Sequence, residues 1–423
     1  MSDIDQEETK MSNANGPRLG RRAAARLMVA AGVSAAAAPR LARAQDKPIR
    51  IGVLSDMTGV YSDSLGPGSV LATRMAVQDF GGKVGNRPVE VLIGDHQNQP
   101  DIGLTIATEW IDRNGVDAIV DLPNSAVALA VANVCKLKNK VALPSGAGSS
   151  LLTGTECSPN IVHWTYDNYA IAHALPAGLI EQGARKWFFV TPDYTSGHDI
   201  ETQATEAIKA SGGTVLGDVL HPIGAADMTS YIVQADTSGA DAIGLTSSGD
   251  DVNNFVKQAA EFGVTQRRRI AAFNMVVNNV VGIGLDTAQH LIGTEAFYWD
   301  LNDGTRAFGR RFAEGHPHHN MPNQMQAGAY GVTLHWLKAV ARLGKSEDGA
   351  AVVKTMKQLP TDDPLFGKGS IRADGRTMHP MYLFEVKSPG ESSGRWDVYK
   401  RIGEIPADKA FRPLGQGGCT LAG

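Results

Sequence analysis

Several kinds of function are excluded by what this chain has little of. Positive charge is not in excess: 40 Lys/Arg stand against 44 Asp/Glu, a formal charge of −4, so the chain as a whole lacks the net positive footprint typical of nucleic-acid binding. A membrane helix takes about 18 or more consecutive apolar residues, and the weakly hydrophobic stretch Leu27 to Ala38 is shorter and flanked by arginines. No G-x-S-x-G elbow supplies a hydrolase nucleophile. The first strand-like run is followed by Ser55-Asp56-Met57-Thr58-Gly59, and the next glycines, Gly66 and Gly68, come too late for a phosphate-binding fingerprint. A carboxylate at Asp56 also stands where phosphate oxygens would sit. "VGIGLD" (281–286) has two glycines of such a fingerprint but Thr287 at the third place, and reads as a turn. In "GHPHHN" (315–320), adjacent histidines lack the i, i+4 spacing or the cysteine partners of a zinc site. No cofactor and no metal are expected.

Cysteine is scarce too. Three residues in an exported protein leave room for one disulfide. Cys135 lies on an apolar helical face with Val131 and Val134 and reads as packing. Cys157 and Cys419 both fall in turn-like segments, which makes them the expected pair, although spacing alone does not fix connectivity. Aromatics are only 6%, so their positions are informative. Trp164 and Tyr166, Tyr194, and Tyr298 and Trp299 each follow an apolar run, an arrangement that suits a cleft walled by rings.

What is present begins with an export signal. Arg21 and Arg22 precede the alanine-rich core, and Ala42-Arg43-Ala44 fits a cleavage site, so residues 1–44 read as a leader with a twin-arginine character. The processed chain would start near Gln45 and work in the periplasm. Its 379 residues, with a formal charge of −7 after seven Lys/Arg and four Asp/Glu leave, exceed what one core usually supports; two lobes are expected.

Short apolar runs then alternate with helical ones: "PVEVLIG", "VDAIVDL", "NKVALPS", "NIVHWTY", "KWFFVTP", "GTVLGDV", "DAIGLTS" and "RIAAFNM", separated by segments such as 102–114, 125–138, 169–182, 199–211 and 251–262. That alternation predicts an α/β fold of parallel sheets covered by helices on both faces, with ligands beyond the C-terminal strand ends. After about residue 294 the pattern changes to two helices around a polar connection, then a hairpin turning at 387–394.

The loops after the strands are the place for chemistry. Ser125 sits where a strand enters a helix and reads first as an N-cap. Ser145, Ser149 and Ser150 surround Gly146 and Gly148, a composition that exposes N–H groups and hydroxyls together and suits a carboxylate.

The order "IGVLSDMTG", "GDHQNQPDIG", "DLPNSAVALAVANVCKLKNKVALPSGAGS", "WFFVTPDYTSGHDI" and "QAAEFGV" resembles the leucine/isoleucine/valine-binding type of periplasmic substrate-binding protein of ABC importers, over about residues 48 to 412. The resemblance implies two doubly wound lobes joined by a three-segment hinge: 46–164 with 298–378, and 165–297 with 379–412, leaving a tail of 413–423. It implies a small-molecule solute (a carboxylate, an amino acid or an aromatic acid), a permease in the inner membrane as partner and no catalysis; a monomer is expected because capture and delivery need no second copy. Carried across, Ser125 and the run Ser145, Gly146, Ala147, with Ser149 close by, would hold the ligand's carboxylate. Tyr61 and Ser64 would form one rim of the cleft, with Trp164 and Tyr166 at a crossing; Tyr194, Ser248 and Asp250 would approach from the other lobe. The amino-acid binders place an acid after the strand equivalent to "RIAAF", against the ligand's ammonium. Here that loop reads Asn274-Met275-Val276-Val277-Asn278, which favours a carboxylate lacking an amine at least as much as a branched-chain amino acid. A sensor of the same fold, or a serine hydrolase using Ser125 or Ser145, are the alternative readings.

Overall fold

The computed structural model describes residues 47–422; the expected leader and its cleavage near Ala44 lie outside the described residues. Strands β1 (Ile49–Ser55), β2 (Lys83–Val84), β3 (Arg87–Asp95), β4 (Ala118–Asp121) and β5 (Val141–Pro144) form one sheet in the order β2-β3-β1-β4-β5. All pairings in it are parallel except β2 with β3. β1, β4 and β5 are almost wholly buried, as strands covered on both faces must be.

A second sheet contains β6 (Lys186–Pro192), β7 (Thr214–His221), β8 (Ala242–Leu245), β9 (Arg269–Ala272) and β10 (Ile292–Glu295) in parallel. A small antiparallel sheet follows: β11 (Thr361–Asp363), β12 (Gly367–Ile371) and β13 (Thr377–Met378). The hairpin of β14 (Met381–Val386) and β15 (Tyr399–Ile405) then joins the second sheet antiparallel to β10, giving β15-β14-β10-β9-β8-β6-β7. Strand order reverses between β1 and β4 in one sheet and between β6 and β8 in the other, and the loops leaving these strands face each other.

Three local expectations are corrected. The "NIVHWTY" run (160–166) makes only two isolated bridges, Ala142 with Ile161 and His163 with Arg376. The Arg376 guanidinium, fully buried, donates to the carbonyls of Trp164 and Tyr166, at 3.0 Å for the latter, and so occupies groups a strand would use. The expected helix 169–182 is two, Asn168–Ala174 and Pro176–Glu181, because Pro176 has no N–H to continue the first. Residues 281–286, read as a turn, are the end of the helix Val277–Ile283, broken by Gly284 at φ +93°, and the start of Leu285–Ala288. Cys157 and Cys419 are joined by a disulfide with Cα atoms 5.6 Å apart, and Cys135 is buried and free. No helix of the described residues is long and apolar enough to cross a membrane.

Candidate functional site

Asp56, the carboxylate that disqualified a phosphate site, organises the opening loop. It accepts from the N–H of Gly59 (2.7 Å) and of Tyr61 (2.9 Å) and from Asn98 Nδ2 (2.6 Å). Gly66 continues the turn at φ +34°, where an added Cβ would meet the Asp56 carbonyl at 2.9 Å. The loop thereby carries Tyr61, Ser64 and Leu65 to a small, nearly filled cavity between the two sheets.

Pro123, Gly146, Gly148 and Met325 line the cavity on the same side. Tyr166 comes from the segment between β5 and β6, and Tyr194, Ser196, Ser248, Gly249, Asn274 and Val276 from the other side. The Tyr61 hydroxyl donates to the Tyr194 oxygen at 3.1 Å, linking the two sides. Tyr166 donates to the Gly146 carbonyl at 3.0 Å, and Asn274 Nδ2 donates to the Tyr166 oxygen at 3.4 Å. Burial, and then the neighbouring Tyr194, hold the Tyr61 phenol well above its usual pKa; burial also raises Tyr166. These groups act as neutral hydroxyls. No charged side chain among the described residues lines the cavity.

A second bridge lies at the rim. Asp63 accepts from Asn278 Nδ2 (3.0 Å) and Asn320 Nδ2 (3.1 Å), while Asn323 Nδ2 donates to the Ser64 carbonyl (2.7 Å) and to Asn278 Oδ1 (2.8 Å). The Asp250 N–H reaches the Val60 carbonyl at 3.2 Å.

Of the residues singled out from the sequence, Tyr61, Ser64, Gly146, Tyr166, Tyr194, Ser248 and Asn274 come together on the cavity. Six do not. Asn124, not Ser125, caps the helix Ser125–Leu137, accepting from Ala126 N (3.0 Å) and Val127 N (3.2 Å), and the buried Ser125 hydroxyl has no partner among the described residues. Ser145 turns its hydroxyl to Asp121 Oδ1 (3.3 Å), and Ala147 is buried with its carbonyl on His163 Nε2 (2.7 Å). Ser149 caps a short 3₁₀ turn through Leu151 N (3.4 Å). Trp164 is core, packed against His335 and Phe366. Asp250 stands outside the cavity at the start of the helix Asp250–Glu261.

Tyr298 and Trp299, expected at the cleft, instead donate to the Trp396 carbonyl, each at 2.8 Å, and anchor the hairpin connection. Among the described residues no group of three or more His, Cys, Asp or Glu could hold a metal ion.

The lining missed from the sequence includes Gly148 and Ser196, which sit inside the "SGAGS" and "YTSGH" runs, and Met325, which comes from the helix Gln324–Leu343 with no local signal. The N–H groups of Ala147, Gly148 and Ser149 donate to no carbonyl or side chain among the described residues. Of the three, only Gly148 lines the cavity, so its N–H is the free backbone donor an anion could meet there.

The model of the periplasmic binding protein family matches residues 48–394. A crystal structure of a periplasmic binding protein from Burkholderia mallei is 41% identical, with a TM-score of 0.86, over 88% of this chain and 99% of that one. A branched chain amino acid ABC transporter periplasmic ligand-binding protein from Burkholderia xenovorans is 36% identical, with a TM-score of 0.78, over 89% of this chain and all of the other. The Leu/Ile/Val-binding protein homolog 6 of Brucella suis is 24% identical over 197 residues, 46% of this chain; the match spans about half the length of that curated relative. With its family matched over most of its length and its cleft between two doubly wound sheets, the chain belongs to the periplasmic binding proteins.

Proposed function

We propose that this protein is the extracytoplasmic receptor of an ABC importer, closing its two lobes around a small carboxylate and presenting the closed form to a permease in the inner membrane. The observation that carries this reading is a cavity without charged side chains, bordered by the hydroxyls of Tyr61, Ser64, Tyr194, Ser196 and Ser248 and by Gly148, whose N–H is free. Such donors suit a carboxylate, whereas a buried ammonium without a counter-charge costs several kcal/mol. The Burkholderia xenovorans relative is named for branched-chain amino acids, but the position after β9 that would answer the amine is Asn274 here.

The lobes would be 46–164 with 298–378 and 165–297 with 379–412, hinged at their three crossings. The leader would be cleaved near Ala44, and a monomer suffices for capture and delivery. No bond chemistry is assigned. A seryl–histidine pair exists, Ser247 Oγ with His221 Nε2 at 2.8 Å, but both residues are buried outside the cavity lining, and His221 Nδ1 faces the Pro222 carbonyl rather than an orienting carboxylate.

The test is a thermal-shift screen of the processed protein against amino acids, aliphatic acids, aromatic acids and amides. A ligand at a hundred times its Kd adds about 2.7 kcal/mol to stability. Selective shifts by acids lacking an amine are expected; shifts confined to branched-chain amino acids would overturn the reading.

A further inference from the structure

Asn274 lies in the loop after β9, buried, on the cavity wall. The orientation of its amide follows from its neighbour. A phenol has one proton, and that of Tyr166 goes to the Gly146 carbonyl at 3.0 Å, so the Tyr166 oxygen is an acceptor and Asn274 must turn Nδ2 toward it, at 3.4 Å. This leaves Asn274 Oδ1 buried with no hydrogen-bond donor among the described residues. The hydroxyls on the same lining, those of Tyr61, Ser64, Tyr194, Ser196 and Ser248, make no hydrogen bond to it. An orphaned acceptor of this kind is rare in a folded interior and strongly disfavours an apolar group placed against it.

We infer that the ligand is a small carboxylate that also carries a neutral donor, a hydroxyl or an amide N–H, and that Asn274 reads this donor. The inference rests on the carboxylate reading above and narrows it. The free N–H of Gly148, on the same lining, would take the acid, and Asn274 Oδ1 the donor. A site built to hydrogen-bond a substrate hydroxyl rejects the analogue lacking it far more strongly than an apolar pocket rejects a missing methylene. A neutral amide oxygen gives an ammonium no counter-charge, so the amine should be the poorer donor here.

Isothermal titration of the processed protein with two matched series tests this. One series is 4-methylpentanoate, its 2-hydroxy derivative and leucine; the other is benzoate with its 3-hydroxy, 4-hydroxy and 4-amino derivatives. In at least one series the hydroxylated acid should bind tenfold or more tighter than its parent, and tighter than the amine. Asn274→Leu should erase that ratio, and Asn274→Asp should shift preference toward leucine, a change that loss of packing alone would not produce; the wild-type ratio stands as a test even if a variant fails to fold. Parent and hydroxylated acids binding alike in both series would overturn the donor requirement and leave the carboxylate reading intact. Leucine binding tightest, or no member binding at all, would overturn both. A wild-type preference that survives in Asn274→Leu would overturn the assignment to Asn274.

Discussion

Two buried carboxyls, Asp121 and Glu295, each end a four-residue strand, one in each large sheet, and are 0% and 1% exposed. Their surroundings differ. Asp121 takes the hydroxyls of Ser55 (2.6 Å) and Ser145 (3.3 Å), and the N–H groups of Ser145 and Gly146 bond its own carbonyl. Burial lifts its pKa and the serines pull it back, to about 6. Glu295 has no partner in hydrogen-bond geometry for either oxygen; burial pushes it up to about 8, and the polar groups of Tyr399, Gln324 and Val277 offset only part of that. At equal burial, donors decide charge: at neutral pH Asp121 is mostly a carboxylate and Glu295 mostly an acid.

The largest effect should come from breaking the better-satisfied site. Asp121→Ala strands two seryl hydroxyls and should cost about 2–5 kcal/mol in chemical denaturation, with Asp121→Asn costing clearly less. Equal costs would mean that the carboxylate's donors do not matter. Next is Glu295→Gln. Because folding raises the pKa of Glu295, the stability it contributes is complete below its unfolded value, near 4.5, and is lost as pH rises through about 8. The glutamine variant should therefore flatten stability against pH and gain roughly 1–3 kcal/mol over wild type near pH 9. A parallel pair of curves would refute the assignment of that slope to Glu295. The smallest effect concerns binding. Asp121 lies behind Gly146, where an added Cβ would come within 3.2 Å of its Oδ1. As Asp121 ionises near pH 6 it should repel a bound carboxylate, weakening affinity roughly two- to fivefold between about pH 5.5 and 8. Affinity that rises over that range would point to a cationic ligand.

Asp121 also marks where sequence reasoning ends. Alternation of apolar runs with helical segments is enough for the two sheets; aromatics at strand ends point to Tyr166 and Tyr194, and the family resemblance to Tyr61, Ser248 and Asn274, all of which line the cavity. The serines stand off the cavity because hydroxyls have competing uses that only the folded chain reveals: Ser145 goes to Asp121, and Ser149 to a 3₁₀ turn. Asp121 and Leu122 adopt φ +85° and +56°, a costly left-handed reversal. The chain leaves it with Pro123 on the cavity and Ser125 in the first turn of a helix. Met325 was out of reach for another reason, since it belongs to a helix more than 170 residues beyond the SGAGS loop that it faces.

The bond between Cys157 and Cys419 spans 262 positions, and all seven strands of the larger sheet lie between them. In covalent terms that whole sheet is part of a ring. A single peptide cut anywhere within the ring linearises it without releasing a fragment, so a nicked chain stays one covalent molecule until its sulfurs are reduced.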